Sequence, residues 1–184
     1  MRSRSRGRSH PRSRRSSPLQ LAVAYAAIAN GGTVYRPRIL LRRDGPDGSI
    51  EPGPEPESLG KVPVSPEHLA EITRALEGVV QEPGGTGGRV RIPGVRVAGK
   101  TGTAQVIRLK ETEGVEEEEV PFEYRDHGWF AAFAPVDAPE ILVVALAEHG
   151  GHGGSAAGPI ARAVLARYFQ APTPEEPPQA VKAS

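Results

Sequence analysis

Two strand-length apolar runs in the C-terminal third constrain the fold of this chain more than any other feature. They span residues 128–136 (GWFAAFAPV) and 140–148 (EILVVALAE) and are separated only by Asp-Ala-Pro at 137–139. Runs of this length around such a turn predict an antiparallel β-hairpin. The second run is apolar on both faces, which is typical of a central strand. We therefore expect a sheet that contains this hairpin.

Three segments have helical signals. One helix begins at Ser17-Pro18 and ends at Gly31-Gly32, and a second spans about 66–80 after another Ser-Pro pair. Both starts are predicted because Ser caps free N–H groups and Pro suits the first helical position. A third spans about 156–169. The apolar positions on one face of each are Leu21, Tyr25 and Ile28; Leu69, Ile72, Leu76 and Val79 or Val80; and Ile160, Val164 and Tyr168.

The remaining segments are predicted to connect these elements. Residues 33–42 have an extended pattern, and residues 44–63 contain enough Pro and Gly to predict a surface loop. A glycine-rich link at 83–90 precedes a further strand pattern around residues 95–107. After that pattern, a run of glutamates up to Glu119 predicts a solvated connection.

Composition restricts the size of the core and the kind of site. Val, Ile, Leu and Phe are only 40 of the 184 residues, so a core is possible but small. The absence of Cys excludes disulfides, Cys-ligated zinc, iron–sulfur clusters and a thiol nucleophile. No apolar run approaches a membrane span, and the N-terminus lacks the apolar region of a signal peptide.

The two ends of the chain differ from its body. Residues 1–17 contain seven Arg, and residues 171–184 are rich in Pro; both are predicted to be disordered. The basic leader is compatible with an RNA-binding arm, a transit peptide or a lipid anchor. A wrong reading frame in G+C-rich DNA is our favoured explanation, since Arg outnumbers Lys 19 to 4. The rest of the chain carries a net charge of −6, which does not suggest a nucleic-acid surface.

One short motif is typical of a catalytic site. Lys100-Thr101-Gly102-Thr103 lies at the start of a predicted strand and is followed by Ala-Gln-Val. Lys-Thr-Gly is one of three signatures of penicillin-binding proteins and serine β-lactamases, with Ser-x-x-Lys and Ser-Asp-Asn. A lysine ammonium beside a serine nucleophile stabilises nearby anions, and a glycine allows a ligand to approach the strand closely.

The sequence around this motif resembles a known family. SPLQLAVAYAAIANGG, AGKTGTAQV, DHGWFAAFAPVDAPEILVVALAEHGG and SAAGPIARAVLARYF together resemble the C-terminal half of the transpeptidase domain of class B penicillin-binding proteins, and within them the penicillin-binding protein 2 group. The resemblance covers residues 18–169. It implies an α+β fold in which the last three strands of an antiparallel sheet pack with helices, and a partial transpeptidase domain at 18–170.

The resemblance also implies roles for the motif residues. Lys100 would be the active-site cation, and Thr101 and Thr103 would donate hydroxyl hydrogen bonds to the carboxylate of the substrate or β-lactam. The backbone N–H of Thr103 would be an oxyanion-hole donor, and Gly102 would let the donor peptide lie along the strand. The implied partners are peptidoglycan stem peptides, β-lactams, a glycosyltransferase and the elongation machinery, with no metal, cofactor or nucleic acid.

Two of the family's motifs have no convincing match. Ser58-Leu-Gly-Lys61 has the Ser-x-x-Lys spacing, but it lies in the Pro-rich segment, where no helix is predicted to bring the two side chains together. Ser-x-Asn is impossible, because Asn30 is the only Asn and residue 28 is Ile. We therefore expect the polypeptide to be a transpeptidase fragment that carries the Lys-Thr-Gly motif, has no nucleophile and is inactive alone.

Histidines give weaker candidates. His149 and His152 lack a third zinc ligand nearby in sequence, and His127 is better explained as a turn residue hydrogen-bonded to backbone than as a base. Trp129 and Phe133 alternate with Phe130 and are predicted to be core residues.

The main alternative is a non-catalytic binding module whose basic arm contacts nucleic acid or a protein. The resemblance instead implies that the complete protein is in the cytoplasmic membrane with its catalytic domain outside the cytoplasm. An open edge at the strand over 140–147 would favour aggregation of this polypeptide by itself.

Overall fold

The computed structural model describes residues 16–106 and 120–170. The predictions for the basic leader before Ser16, for the acidic connection at 107–119 and for the tail at 171–184 lie outside these ranges.

The described chain forms three α-helices and seven short strands. In chain order they are α1 Pro18–Ala29, β1 Thr33–Tyr35, β2 Arg42–Asp44, β3 Ile50–Pro52, β4 Ser58–Lys61, α2 Pro66–Gln81, β5 Ala98–Ala104, β6 His127–Ala134, β7 Ile141–Ala147 and α3 Ala157–Tyr168. Single 3-10 turns lie at Gly88–Val90 and Phe122–Tyr124. None of the helices in the described ranges is long and apolar enough to cross a membrane.

Both serine-capped helices form where the sequence predicts them. The Ser17 hydroxyl accepts a hydrogen bond from the backbone N–H of Gln20, and the Gln20 side chain accepts one from the N–H of Ser17, which completes a capping box. Ser65 likewise accepts from the N–H of His68 at the start of α2. The first turn of each helix therefore has its free donors partly satisfied.

The predicted hairpin is confirmed as β6 and β7, which pair from Gly128 opposite Ala147 to Ala134 opposite Ile141. The antiparallel sheet that contains it has the order β5-β6-β7. In the described sheet β6 is central and β7 lies at an edge, which agrees with the expected open edge over 140–147 but not with the central position that the apolar pattern of β7 predicts. The apolar character of β7 on both faces has another cause: α1 and α3 both pack against this strand.

The core lies between the sheet and α3. Phe130, Leu165 and Val90 are fully buried there, and α3 approaches the sheet closely because much of its buried face consists of alanines. The predicted face of α3 with Ile160, Val164 and Tyr168 is the exposed one. Ile72 on α2 is also exposed, whereas Leu69 and Val80 are buried as predicted.

The prediction of a surface loop over 44–63 is incomplete. Residues Arg42–Asp44 and Ile50–Pro52 form a small hairpin, and Ser58–Lys61 pairs with Thr33–Tyr35. The residues of β2, β3 and β4 are all exposed, so Pro and Gly are tolerated in these short, two-stranded ladders. The segment stays on the surface, as expected, but it is ordered by strand pairing.

Candidate active site

The Lys-Thr-Gly-Thr motif lies in the middle of β5 rather than at its start. Pairing places Lys100 opposite Ala131 and Thr101 opposite Phe130. No described strand pairs with the other side of β5. Since side chains alternate along a strand, Thr101 and Thr103 share one face of the sheet, while Lys100 and Gly102 share the other.

Backbone groups of Thr101 and Thr103 are directed toward the unpaired edge of β5. The carbonyl oxygen of Thr101 accepts a hydrogen bond from Lys100 Nζ at 2.9 Å. The carbonyl oxygen of Arg96, in contrast, accepts from the N–H of Val136 on the side of β6. Because backbone groups alternate between the two edges of an antiparallel strand, the N–H of Thr103 has the same direction as the carbonyl of Thr101.

An open cleft of about 690 Å³ borders this part of β5. Two glycine-rich loops form its other walls, and none of the described residues that line it is acidic. The lining residues are Gly84, Gly85, Thr86, Gly88, Arg89, Arg91, Thr101, Thr103, His152, Gly153, Gly154 and Ser155. Hydroxyl groups and two arginines without a carboxylate make the cleft suited to an anionic ligand.

The loop that precedes α3 requires glycine to reach the sheet. A Cβ on Gly153 would lie 2.2 Å from the carbonyl oxygen of Trp129 and 2.4 Å from that of Gly102. A Cβ on Gly154 would lie 2.7 Å from the carbonyl oxygen of Thr86. The loop backbone therefore rests directly on β5 and β6 and on the other glycine-rich loop, which fixes the shape of the cleft.

Thr86 is a cleft residue that sequence reasoning missed. Its Oγ1 lies 3.0 Å from Oγ1 of Thr101, within hydrogen-bond distance. The sequence pattern of the glycine-rich link around it predicts only a connection, although Gly-Thr-Gly-Gly at 85–88 is the kind of segment that can approach another strand closely. The structure therefore adds one hydroxyl to those of the motif.

The arginines of the cleft differ in what they contact. Arg91 donates from Nε to the carbonyl oxygen of Val80 and from a terminal nitrogen to that of Glu82, both at 2.6 Å. Arg91 therefore caps carbonyl groups at the C-terminal end of α2. Arg89 is exposed at the rim of the same cleft.

The Ser-x-x-Lys spacing at 58–61 does not make a nucleophile site. These residues form strand β4, so an extended backbone separates Ser58 from Lys61 and the two are not one helical turn apart. The Ser58 hydroxyl accepts a hydrogen bond from the N–H of Gly60. Asn30 has a structural role, since its side chain bonds both backbone groups of Thr33 in the turn after α1.

The histidines make local structural contacts. His127 Nδ1 accepts a hydrogen bond from the backbone N–H of His149 at 2.9 Å, which agrees with its prediction as a residue bonded to backbone. The His149 ring packs against His127 and against Phe122. Within residues 16–106 and 120–170, no group of three or more His, Asp or Glu side chains could hold a metal ion.

An ion-pair network holds the far end of the sheet. Arg96 makes paired hydrogen bonds to Glu77 on α2 and reaches Asp137 in the β6–β7 turn at 2.6 Å. The hydrogen bonds that Arg96 donates to Glu77, and then those to Asp137, raise the pKa of Arg96 above its usual value. The network ties α2 to the hairpin at the opposite end of β5 from Thr103.

Comparisons with known proteins agree with this geometry. The family model for the penicillin binding protein transpeptidase domain matches residues 13–166. The chain is 35% identical over 164 residues to the peptidoglycan D,D-transpeptidase MrdA of Haemophilus influenzae. This alignment covers 87% of the present chain and 25% of that protein. The chain thus spans about a quarter of that curated relative.

Solved structures give the same result. The crystal structure of PBPA from Mycobacterium tuberculosis aligns with a TM-score of 0.65 and 33% identity over 83% of this chain and 34% of that one. The penicillin G acyl-enzyme complex of penicillin-binding protein A from the same organism aligns with a TM-score of 0.64 and 32% identity, over 83% of this chain and 32% of that one. The predicted α+β fold, with the last three strands packed by helices, is therefore confirmed, and the chain belongs to the penicillin-binding protein transpeptidase domain family.

Proposed function

We propose that this chain supplies the Lys-Thr-Gly wall of a peptidoglycan D,D-transpeptidase site that also binds β-lactams. The observation that carries the proposal is the position of Lys100–Thr103 on an edge of β5 that no described strand pairs with, beside a cleft with hydroxyl and arginine groups whose described lining residues include no acid. The penicillin G acyl-enzyme of the related M. tuberculosis protein supports the choice of ligand.

Each motif residue has a role that fits its position. The Lys100 ammonium is exposed and makes no salt bridge with the described residues, so it remains able to stabilise an anion. The hydroxyls of Thr101 and Thr103 face the cleft and bind a carboxylate. The N–H of Thr103 points to the open edge and is one donor to the oxyanion of an acyl-transfer intermediate.

Gly102 supports a close approach of the ligand to β5. A Cβ at this position would meet only Trp129 Cβ, at an ordinary contact distance of 3.4 Å, and the backbone does not have a positive φ. The fold itself therefore does not require glycine at residue 102. Its absent side chain leaves the strand edge accessible for pairing with an extended peptide.

The chain provides one wall, and the nucleophile comes from another part of the transpeptidase domain. In the reaction, a serine attacks the D-Ala-D-Ala carbonyl, D-alanine leaves, and the acyl group passes to an amine of a second stem peptide. Ser58 is not assigned this part, because β4 is an extended strand and does not place Lys61 one helical turn from it. The complete protein is proposed to be membrane-anchored, with this site outside the cytoplasm and with glycosyltransferase and elongation partners.

A chimaera tests the proposed wall. Residues 18–170 replace the aligned segment of M. tuberculosis PbpA, and acylation by a fluorescent penicillin is measured. Lys100→Ala is expected to slow acylation by roughly 100-fold, the usual cost of losing a preorganised electrostatic group. Lys61→Ala, which removes the lysine of the other motif match, should leave the rate unchanged.

Two outcomes would contradict the proposal. Equal rates for the Lys100→Ala and Lys61→Ala chimaeras would remove the role of the Lys-Thr-Gly wall. The 184-residue polypeptide by itself should remain unlabelled, and a covalent adduct on it would show that this chain does contain a nucleophile.

A further inference from the structure

Thr86 lies outside the Lys-Thr-Gly-Thr motif but contacts its first threonine. We propose that Thr86 is a positioning residue that orients the Thr101 hydroxyl toward the carboxylate of the ligand. This inference rests on the proposed function of the cleft and adds a residue from a different loop to it.

The side chain of Thr101 is held from two sides. Its hydroxyl lies 3.0 Å from that of Thr86, and its methyl group would be 3.3 Å from a Cβ on Gly154, so the glycine leaves just enough room. The two glycine-rich loops thereby fix the rotamer of Thr101, with its methyl group toward one loop and its hydroxyl toward the other.

The loop around Thr86 is itself anchored. The N–H of Gly87 donates to the carbonyl oxygen of Val79 at 2.9 Å, and that of Gly85 donates to Glu82 at 3.1 Å. A Cβ on Gly87 would lie 3.0 Å from the buried ring of Phe130. Thr86 is thus placed by the C-terminal end of α2 and by the core, independently of β5.

Hydrogen-bond capacity determines the direction of the Thr101 proton. A hydroxyl has one donor and two acceptor positions, whereas an ammonium can only donate. Lys100 Nζ lies 3.4 Å from Thr101 Oγ1 and directs a donor toward it. If Thr86 also donates to Thr101, both acceptor positions are used, and the remaining Thr101 proton is free for the cleft.

A carboxylate in the cleft selects this arrangement. Since a carboxylate can only accept, it requires Thr101 to donate, and Thr101 then accepts from Thr86. Successive hydrogen bonds of this kind polarise one another and strengthen the final bond to the anion. Thr86 therefore acts through Thr101, without contacting the reacting carbonyl.

The test uses the PbpA chimaera that carries residues 18–170, with its nucleophilic serine replaced by alanine so that benzylpenicillin binds reversibly, and it follows the NMR shifts of the Thr101–Thr103 amides. Thr86→Val should weaken binding roughly fivefold, as expected for the loss of one hydrogen bond. Thr86→Ser should restore it to within about twofold, because the hydroxyl is retained. Thr73→Val, the same change on α2 away from the cleft, is the matched control.

The methyl ester of benzylpenicillin separates positioning from general packing. It lacks the carboxylate, so the chimaeras with Thr86 and with Thr86→Val should bind it equally. Thr86→Ala provides a second hydroxyl deletion if the valine disturbs the loop. Unchanged benzylpenicillin affinity in both deletions, or an equal loss for the ester, would overturn the inference alone, whereas no saturable shift in the chimaera with Thr86 would overturn the proposed function and this inference with it.

Discussion

Two regions differ in how they are held together: the three-stranded sheet β5–β7 with α1, α2 and α3, here called the sheet unit, and the segment over residues 36–61, here called the arm. The sheet unit contains the largest fully buried side chains, including Phe130, Phe133 and Leu165. In the arm, every residue of β2, β3 and β4 is exposed. Exposed ion pairs such as Arg36–Glu57 and turn hydrogen bonds hold it instead. Apolar burial thus specifies one region, and local polar contacts specify the other.

The same contrast separates two short motifs. Lys100-Thr101-Gly102 belongs to the sheet unit, where strand pairing, α2 and two glycine-rich loops fix its surroundings. Ser58–Lys61 belongs to the arm and is held by the short ladder with β1. A motif of three or four residues carries chemistry only where the fold holds its partners in place.

Truncating one large side chain in each region gives the largest expected difference. Phe130→Ala should lower the free energy of unfolding by about 3–5 kcal/mol, because it opens a cavity in the core. Leu59→Ala, at a residue of the arm that is 52% exposed, should change it by less than about 0.5 kcal/mol. Urea unfolding followed by the fluorescence of the single tryptophan, Trp129, measures both losses. Similar values would show that apolar burial does not distinguish the two regions.

Two glycines of the sheet unit differ in what a side chain at their positions would meet. Gly153→Ala should destabilise the protein by about 1–3 kcal/mol, since the new methyl group would collide with backbone oxygens of both β5 and β6. Gly102→Ala meets only an ordinary contact and should cost less than about 1 kcal/mol, while weakening benzylpenicillin binding. Unfolding and ligand titration of the two variants provide the measurements. If Gly102→Ala is the more destabilising change, the fold itself requires glycine at residue 102, and the glycine is then not explained by ligand access.

Helix capping gives a smaller effect. Ser65→Ala removes the hydroxyl that accepts from His68 at the start of α2 and should cost about 1 kcal/mol. Ser49→Ala, in the exposed turn of the arm, is the matched control: its hydroxyl donates to Asp47, but no core element depends on that turn. Equal shifts in the urea midpoint would indicate that the arm contributes to global stability as much as the sheet unit does.

Local signals predicted the elements of the sheet unit well. Ser17-Pro18 and Ser65-Pro66 located two helix starts within one residue, and the Asp-Ala-Pro turn located the hairpin, because capping and turn chemistry depend on neighbouring residues only. The order of strands and the buried face of α3 depend on packing between distant segments. Apolar periodicity alone therefore selected Ile160, Val164 and Tyr168, while the sheet accepts the smaller face with Ala157 and Ala161.

The candidate site divides in the same way. The motif at 100–103 was identified from sequence, since its residues are consecutive and the surrounding resemblance is extensive. Thr86 was not identified, because its contact with Thr101 spans 15 residues and depends on how two glycine-rich loops meet. The short ladders of the arm were also missed, since exposed strands rich in Pro have no apolar alternation to reveal them.

Acidification should loosen the arm before it affects the sheet unit, and this is the smallest effect expected. Hydrogen bonds from the Arg36 guanidinium hold the pKa of Glu57 below its usual value. Because the pKa of Glu57 is lower in the folded arm than in the unfolded chain, where it is about 4.3, the Arg36–Glu57 pair stabilises the arm fully above that unfolded-state pKa. This stabilisation is lost as the pH falls through the pKa of Glu57 in the folded arm. The backbone amide of Arg36 donates to the Glu57 carbonyl, so it should lose its protection from hydrogen exchange below about pH 4. The backbone amide of Phe130 should remain protected at the same pH. Glu57→Gln removes the titrating group, so its Arg36 protection should not change with pH; an unchanged acid response would show that another group controls the arm.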